Sequence, residues 1–433
     1  MSGLVRLPWP PNNPIGRAIH VQRLVFPMTG RAIIAGGSIG GLFAAAALLR
    51  AGWDVRVYER SPVPLAGRGA GIVTHPELVA ALEAVGADTS SLGVDVHERV
   101  AYDMDGARVA AFDFHQVVTS WDRVYQILLS VMPEGTYVLD RTAAGYEDKG
   151  SHVTCLFSDG RHEDADLLVG TDGFRSAIRG QMLPGIQPEY SGYVVWRTLA
   201  AEADLPEYIR ADIFKTFGFF IPSGTQIIGY PIAGPANDLR PGRLRYNFVW
   251  YSRETEDHLK NMLTDAYGTH HAISIPPPMI RDDVIAAMYE DARTRLPGPF
   301  RDILAVSDRP FFTPIYDHHS PVMGRGRVAL AGDAACVARP HVGMGVTKAA
   351  GDALALADAV TAMPVPEAVT AYSAARVEPC RIAFETSRRL GSYIFGGDPT
   401  RNLDGRSHPN RETVMRETAV VPAALAQFAR NSS

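Results

Sequence analysis

The sequence predicts an α/β fold: a Rossmann-like parallel sheet opened by a β-α-β unit, an antiparallel sheet inserted into it, and helices at the C-terminal end. Three glycine-bearing segments carry this prediction, residues 34–41 (IAGGSIGG), 169–173 (VGTDG) and 328–334 (VALAGDA), each ending a short apolar run. Between the second and third, the pattern changes to strand-like alternation broken by proline and glycine.

The elements follow in order. Residues 1–27 hold Pro8, Pro10, Pro11 and Pro14 beside Asn12 and Asn13, a composition that builds neither helix nor core, so they read as a flexible leader. Residues 31–35 (RAIIA) make an apolar run behind Arg31 with two β-branched isoleucines, as a buried strand requires. Alanine and leucine then predict a helix over 42–50, and Gly52 closes it before a second strand over 54–58 that ends at Glu59. A strand, tight turn, helix and strand ending in a carboxylate make a dinucleotide-binding unit. Glycines let the backbone approach a pyrophosphate at the helix N-terminus, and the carboxylate accepts ribose hydroxyls. Gly36 and Gly41 fit the G-x-G-x-x-G register, Ile39 and Gly40 lie within the turn, and Ser38 replaces the middle glycine with a hydroxyl able to bond phosphate.

A second buried strand over 166–170 leads through Asp172-Gly173 into a turn and helix reaching Arg179. From 190 to 251, alternating runs at 193–197, 226–232 and 244–251 predict the inserted antiparallel sheet. A strand over 326–331 ends in Gly332-Asp333, where small neighbours let a carboxylate meet a polyol hydroxyl. A helix over 346–360 follows Gly343, Met344 and Gly345, whose amides point to a site where negative charge collects. The final segment is polar and broken, with a last helix over 420–429. The boundaries are therefore a leader (1–27), a first cofactor segment (28–185), a substrate sheet (186–310), a second cofactor segment (311–395) and a C-terminal extension (396–433).

Composition narrows the function classes. A net charge of −5 argues against nucleic acid or an anionic membrane as partner. Residues 32–49 approach the length of a membrane span, but their central glycines and flanking strand patterns argue against insertion. The three cysteines, Cys155, Cys336 and Cys380, form no C-x-x-C pair, so neither a disulfide framework nor a metal site is expected, and a cytoplasmic location is.

In this order and at these separations the three glycine motifs resemble those of the single-component FAD-dependent aromatic hydroxylases, the para-hydroxybenzoate and salicylate hydroxylase superfamily, over roughly residues 30–395. A narrower likeness, to the 2,6-dihydroxypyridine 3-hydroxylase branch, rests on YERSP (58–62), GRGAGI (67–72), SWDR (120–123), GYVVWR (192–197), NFVWY (247–251) and ARPHV (338–342). The resemblance implies FAD as cofactor, NADH or NADPH as co-substrate, and O2. A flavin C4a-hydroperoxide would hydroxylate an electron-rich ring, with 6-hydroxynicotinate, salicylate and urate as alternatives to a dihydroxypyridine.

The same resemblance implies that Arg60, Arg68 and Arg123 contact FAD, that Asp172 serves both FAD and the nicotinamide, and that Asp333 meets the ribityl chain. It also implies that Tyr193, Tyr230, Tyr246 and Pro340 form the slot for a small aromatic substrate. His341 is the candidate base, with His75 and His115 behind it. Cys336 stands where many relatives carry histidine, and Arg339 precedes Pro340 where many carry a second proline. A homodimer is the expectation at family level. The other classes are a flavin reductase and a non-catalytic FAD-binding protein. The Trp-x-Trp signature of flavin halogenases is absent among Trp9, Trp53, Trp121, Trp196 and Trp250.

Overall fold

In a computed structural model, residues 29–66, 71–396 and 409–425 are described. The leader, Arg68 and parts of the C-terminal extension lie outside them. The sheet begun by Arg31–Ala35 has six strands, in the order Gly324–Arg325, Val328–Leu330, Leu167–Gly170, Arg31–Ala35, Asp54–Tyr58, Tyr137–Val138. All its pairs are parallel except the first. Ala32, Ile33, Ile34 and Ala35 are wholly buried, as a strand covered on both faces demands. The helix Ile39–Arg50 lies against it. Its run Ala44–Ala47 keeps the helix surface flat enough for Gly345–Ala362 to pack on the other side, where Gly40 faces Ala349. A small sheet of three strands, Ala143–Asp148, Val153–Phe157 and His162–Ala165, flanks this layer.

The inserted sheet is larger than the sequence boundaries imply. It has nine strands, in the order Cys336–Val337, Phe311–His319, Glu189–Ala201, Arg245–Arg253, Gln226–Ile232, Phe217–Phe220, Val94–Tyr102, Arg108–Ser120, Gly71–Val73. Residues 71–120, placed by chain order in the first cofactor segment, thus extend this sheet through the parallel pairing of Val94–Tyr102 with Phe217–Phe220. Alternation sends its side chains into separate layers. Val194, Trp196, Phe248 and Trp250 enter a core completed by the helices Asp282–Arg295 and Gly298–Ala305. Tyr193, Val195, Val249 and Tyr251 face the opposite way, toward the parallel sheet.

The C-terminal extension packs on its own chain. It carries the helix Arg411–Glu417, which the sequence did not announce, and within the expected helix over 420–429 residues 423–425 are helical while 426–429 lie outside the described residues. Arg99, wholly buried, fastens the end of that helix. Its guanidinium donates to the carbonyls of Met415 (2.8 Å) and Thr418 (2.7 Å) and to Gln116 Oε1, and it lies over the Phe114 ring. Burial pushes this guanidinium down to about 9. A cation at a helix C-terminus answers the carbonyls left without intrahelical donors. Arg389 adds an ion pair with Glu417. Among the described residues, no helix is long and apolar enough to cross a membrane.

Candidate functional site

The three glycine motifs meet the large sheet around one cavity of about 620 Å³. The first motif shows why glycine is required there. Gly36 has φ 107°, and a Cβ on it would lie 2.4 Å from the Thr171 carbonyl oxygen; one on Gly41 would lie 1.9 Å from the Gly36 oxygen. The turn therefore closes against the second motif, and Thr171 Oγ1 ties them by donating to the Ala35 and Gly36 carbonyls. Ser38, Ile39 and Gly40 face the cavity. Ser38 precedes the helix in extended conformation and makes no side-chain cap, leaving its hydroxyl and the first amides available to an anion.

Glu59 stands behind this turn. It accepts from Gly37 N (2.8 Å) and Ser61 N (2.9 Å), so it shapes the turn as well as offering its remaining lone pairs. Asp172 also lies behind the wall, which Thr171 and Gly173 form. Its Oδ2 caps the following helix at Ala177 N (2.7 Å), while Oδ1 is buried with no partner. Burial raises its carboxyl, against several hydrogen bonds that lower it.

The third motif presents its carboxylate directly. Gly332 turns with φ 60°, its N–H donating to Asp352 Oδ2 (3.1 Å) and its carbonyl accepting from Lys348 Nζ (2.8 Å). Arg376 Nε donates to Asp352 Oδ1 (2.9 Å). This buried cluster holds Asp333 open to the cavity, while the surrounding protein raises its carboxyl and Lys348 opposes the rise. Beyond the turn, Pro340, Gly343 and Gly345 line the cavity; Gly343 takes the left-handed conformation, and a Cβ on Gly345 would meet open space. Met344 turns instead toward Val342 and Leu390.

The other candidates divide. Tyr230 lines the cavity, stacked on Phe217 at 4.9 Å, and burial raises its phenol. Tyr246 does not: it pairs with Pro231, one position past Tyr230, so the pleat turns it into the opposite core beside Phe214. Tyr193 and His341 lie behind the lining. His341 is wholly buried, its Nε2 2.9 Å from Tyr193 Oη and its Nδ1 3.0 Å from Gln226 Oε1, with Tyr251 stacked on it at 4.4 Å. The Gln226 carbonyl oxygen accepts from Nδ1–H, which leaves Nε2 to accept from Tyr193. Burial, aided by Arg339, pushes the imidazole down to about 3. The ring is thus fully bonded and lies outside the cavity lining, where its backbone alone adjoins Pro340.

Arg60 is exposed outside the lining, and Arg123 donates to the Ser91 carbonyl (3.1 Å), also away from the cavity. Gly41 supports the turn from behind. His75 bonds Thr347 Oγ1, and His115 pairs with Asp95 on the surface. Sequence reasoning missed Arg197, Tyr251 and Tyr316 on the sheet, and Thr418 and Ala419 from the C-terminal extension, all of which line the cavity. For Arg197 the signal was present: alternation from Tyr193 puts it on the same face.

The set fits FAD: the open helix start at Ser38–Gly40 and the Asp333 carboxylate line one cavity, and the two strictly required glycines and Asp172, with its partnerless buried oxygen, stand directly behind that lining. The family description FAD binding domain-like matches residues 190–317. The chain is 35% identical to 2,6-dihydroxypyridine 3-monooxygenase of Paenarthrobacter nicotinovorans over 337 residues, 77% of this chain and 84% of that protein. Its fold matches the structure of 2,6-dihydroxypyridine-3-hydroxylase from Arthrobacter nicotinovorans with a TM-score of 0.80 at 30% identity, covering 89% of this chain and 99% of that one. Klebsiella pneumoniae HpxO, solved with FAD and uric acid, shares the fold with a TM-score of 0.73 at 21% identity, over 94% of this chain and 97% of its own. A cavity built from the three motifs, in a chain this similar over this length, makes the protein a member of the FAD-dependent aromatic hydroxylases.

Proposed function

We propose that the enzyme hydroxylates a hydroxypyridine, with 2,6-dihydroxypyridine as the substrate, using NADH or NADPH and O2. The observation that carries this reading is the cavity itself. Its cofactor wall and an aromatic sheet face share one space, and the relative of 35% identity is named for that substrate. When bound, FAD takes hydride from the nicotinamide and activates oxygen for insertion into the ring.

The chain supplies position, polarity and dryness. Ser38, the amides of the first helix and Asp333 hold the cofactor's polar length, and the open space at Gly345 admits its ring system. Tyr230, Phe217, Ile228 and Pro340 form an apolar slot for a planar ring. Burial keeps the Tyr230 phenol protonated, so its O–H donates a hydrogen bond to a ring oxygen or nitrogen. Thr418 and Ala419 close the wall, Ala419 N donating to the His341 carbonyl (2.8 Å), and exclude water from the reacting centre. His341, Tyr193 and Gln226 fix the turn that carries Pro340.

The test is stimulation of NADH oxidation and oxygen uptake by 2,6-dihydroxypyridine, against 6-hydroxynicotinate, salicylate and urate. Large stimulation by the dihydroxypyridine alone supports the reading. Stimulation by another member alone replaces the substrate, and NADH oxidation without oxygen uptake favours a reductase.

A further inference from the structure

Arg197 sits on Glu189–Ala201, paired with Val249 on one side and Phe311 on the other, in the centre of the sheet face that overlooks the cavity. Among the described lining residues it is the one cation, and Asp333 is the one carboxylate. No ion pair joins them, and among the described residues no hydrogen bond or salt bridge engages the Arg197 guanidinium. Two neighbouring buried arginines are committed elsewhere. Arg99 holds backbone carbonyls, and Arg339 Nε donates to Asp317 at 2.5 Å. A half-buried guanidinium with five donors and no acceptor, in an apolar slot, is the arrangement that receives an anionic oxygen.

The electrostatics agree on where it points. Burial drives the Tyr230 phenol up and takes that of Tyr251 to about 12, and in each Arg197 is the main influence pulling down. Its field therefore favours negative charge on oxygen in the space shared by these two rings.

We propose that Arg197 anchors the substrate through an ionised ring oxygen, so that the enzyme selects aromatic rings bearing an anionic oxygen over neutral isosteres. This deepens the hydroxypyridine reading and rests on it for the identity of the ring. The guanidinium would meet the oxygen in two parallel N–H···O contacts and hold charge on the ring.

The test is titration of the FAD-loaded enzyme, followed by perturbation of the flavin visible spectrum, with 2,6-dihydroxypyridine and 2,6-dimethoxypyridine at pH 8. The wild type should prefer the ionisable ring at least tenfold. Arg197→Met should reduce that preference below twofold by weakening only the ionisable ring, with FAD content unchanged, and Arg197→Lys should keep part of it. A preference that survives in Arg197→Met overturns the proposal, as does an equal loss in Arg197→Lys and Arg197→Met. If neither pyridine perturbs the wild-type spectrum, the dihydroxypyridine reading fails. Benzoate and benzamide then replace them: an anion preference lost in Arg197→Met upholds the anchor, and one retained or absent overturns it.

Discussion

Replacing Asp352 by asparagine tests whether the Gly332-Asp333 turn depends on a buried charge network. The carboxylate is wholly buried and meets four donors: Gly332 N at 3.1 Å, Arg376 Nε at 2.9 Å, Lys348 Nζ at 3.5 Å and the Cys380 thiol at 3.8 Å. Burial pushes the Lys348 ammonium down, but Asp352 together with Asp333 and the neighbouring cysteines holds it above the ordinary range. Asparagine is nearly isosteric and still accepts from Gly332 N, so the substitution removes the charge and turns an amide NH2 toward the Arg376 Nε donor that Oδ1 now accepts from. Lys348, 3% exposed, then loses its nearest carboxylate and keeps only Asp333 and the Gly332 carbonyl against its buried charge. Breaking such a pair from one side costs about 3–5 kcal/mol. Arg376, with 17% of its side chain exposed, recovers some hydration, which favours the lower end of that range. At roughly 2 °C per kcal/mol for a large chain, the melting temperature should fall by about 6 °C, and FAD should bind more weakly because the Gly332 carbonyl loses its fixed Lys348 partner. Adding Lys348→Met should return at least half the loss, since the stranded cation is gone. Calorimetry with FAD titration reads both. An Asp352→Asn enzyme melting within 1 °C of wild type would refute the argument.

Three further outcomes follow from the same geometry. Gly41→Ala places a methyl group against the Gly36 carbonyl, 1.9 Å from an ideal Cβ, and a strain of about 1–3 kcal/mol should weaken FAD about five- to 150-fold in equilibrium dialysis; unchanged affinity would mean the turn is not closed as described. His341 and His318 are both held at about 3, mainly by burial, so below about pH 6.5 the unfolded chain takes up protons that the native chain refuses. Their stabilisation is present above that pH and is lost toward 3 at about 1.4 kcal/mol per unit each, and His341→Gln should shallow the acid slope of denaturant unfolding by one histidine's share. Arg99→Met strands the carbonyls of Met415 and Thr418, and at about 3 kcal/mol amide exchange over 411–419 should accelerate about a hundredfold; exchange at the wild-type rate would show that the strap is held by other contacts.

What could be read from the sequence was what local geometry dictates. Gly36 and Gly41 announce a turn because no other residue can occupy it, and Arg31–Ala35 announces a covered strand because its run has no polar break. Non-local pairing was not legible. Nothing in residues 71–120 says that Val94–Tyr102 will join Phe217–Phe220, more than a hundred positions away. The phase of alternation was legible within a strand but not between strands. Tyr230 and Tyr246 looked equivalent until the register set Tyr246 against Pro231 and turned it away. His341 shows a third limit: the motif places its backbone beside the cavity, while Gln226 and Tyr193, from distant strands, draw its ring behind the wall. Arg99 and the extension it fastens are invisible to any local pattern, because their bonds span more than three hundred residues.

The central claim is that this cavity brings an aromatic ring and FAD together for insertion of one oxygen atom from O2. The direct measurement is turnover of 2,6-dihydroxypyridine with NADH under 18O2, with mass analysis of the product. One 18O atom per hydroxylated ring is the predicted result, and it should vanish when the label is carried by water instead. A product labelled from water, or oxygen consumed wholly to hydrogen peroxide with the ring unchanged, would contradict the account.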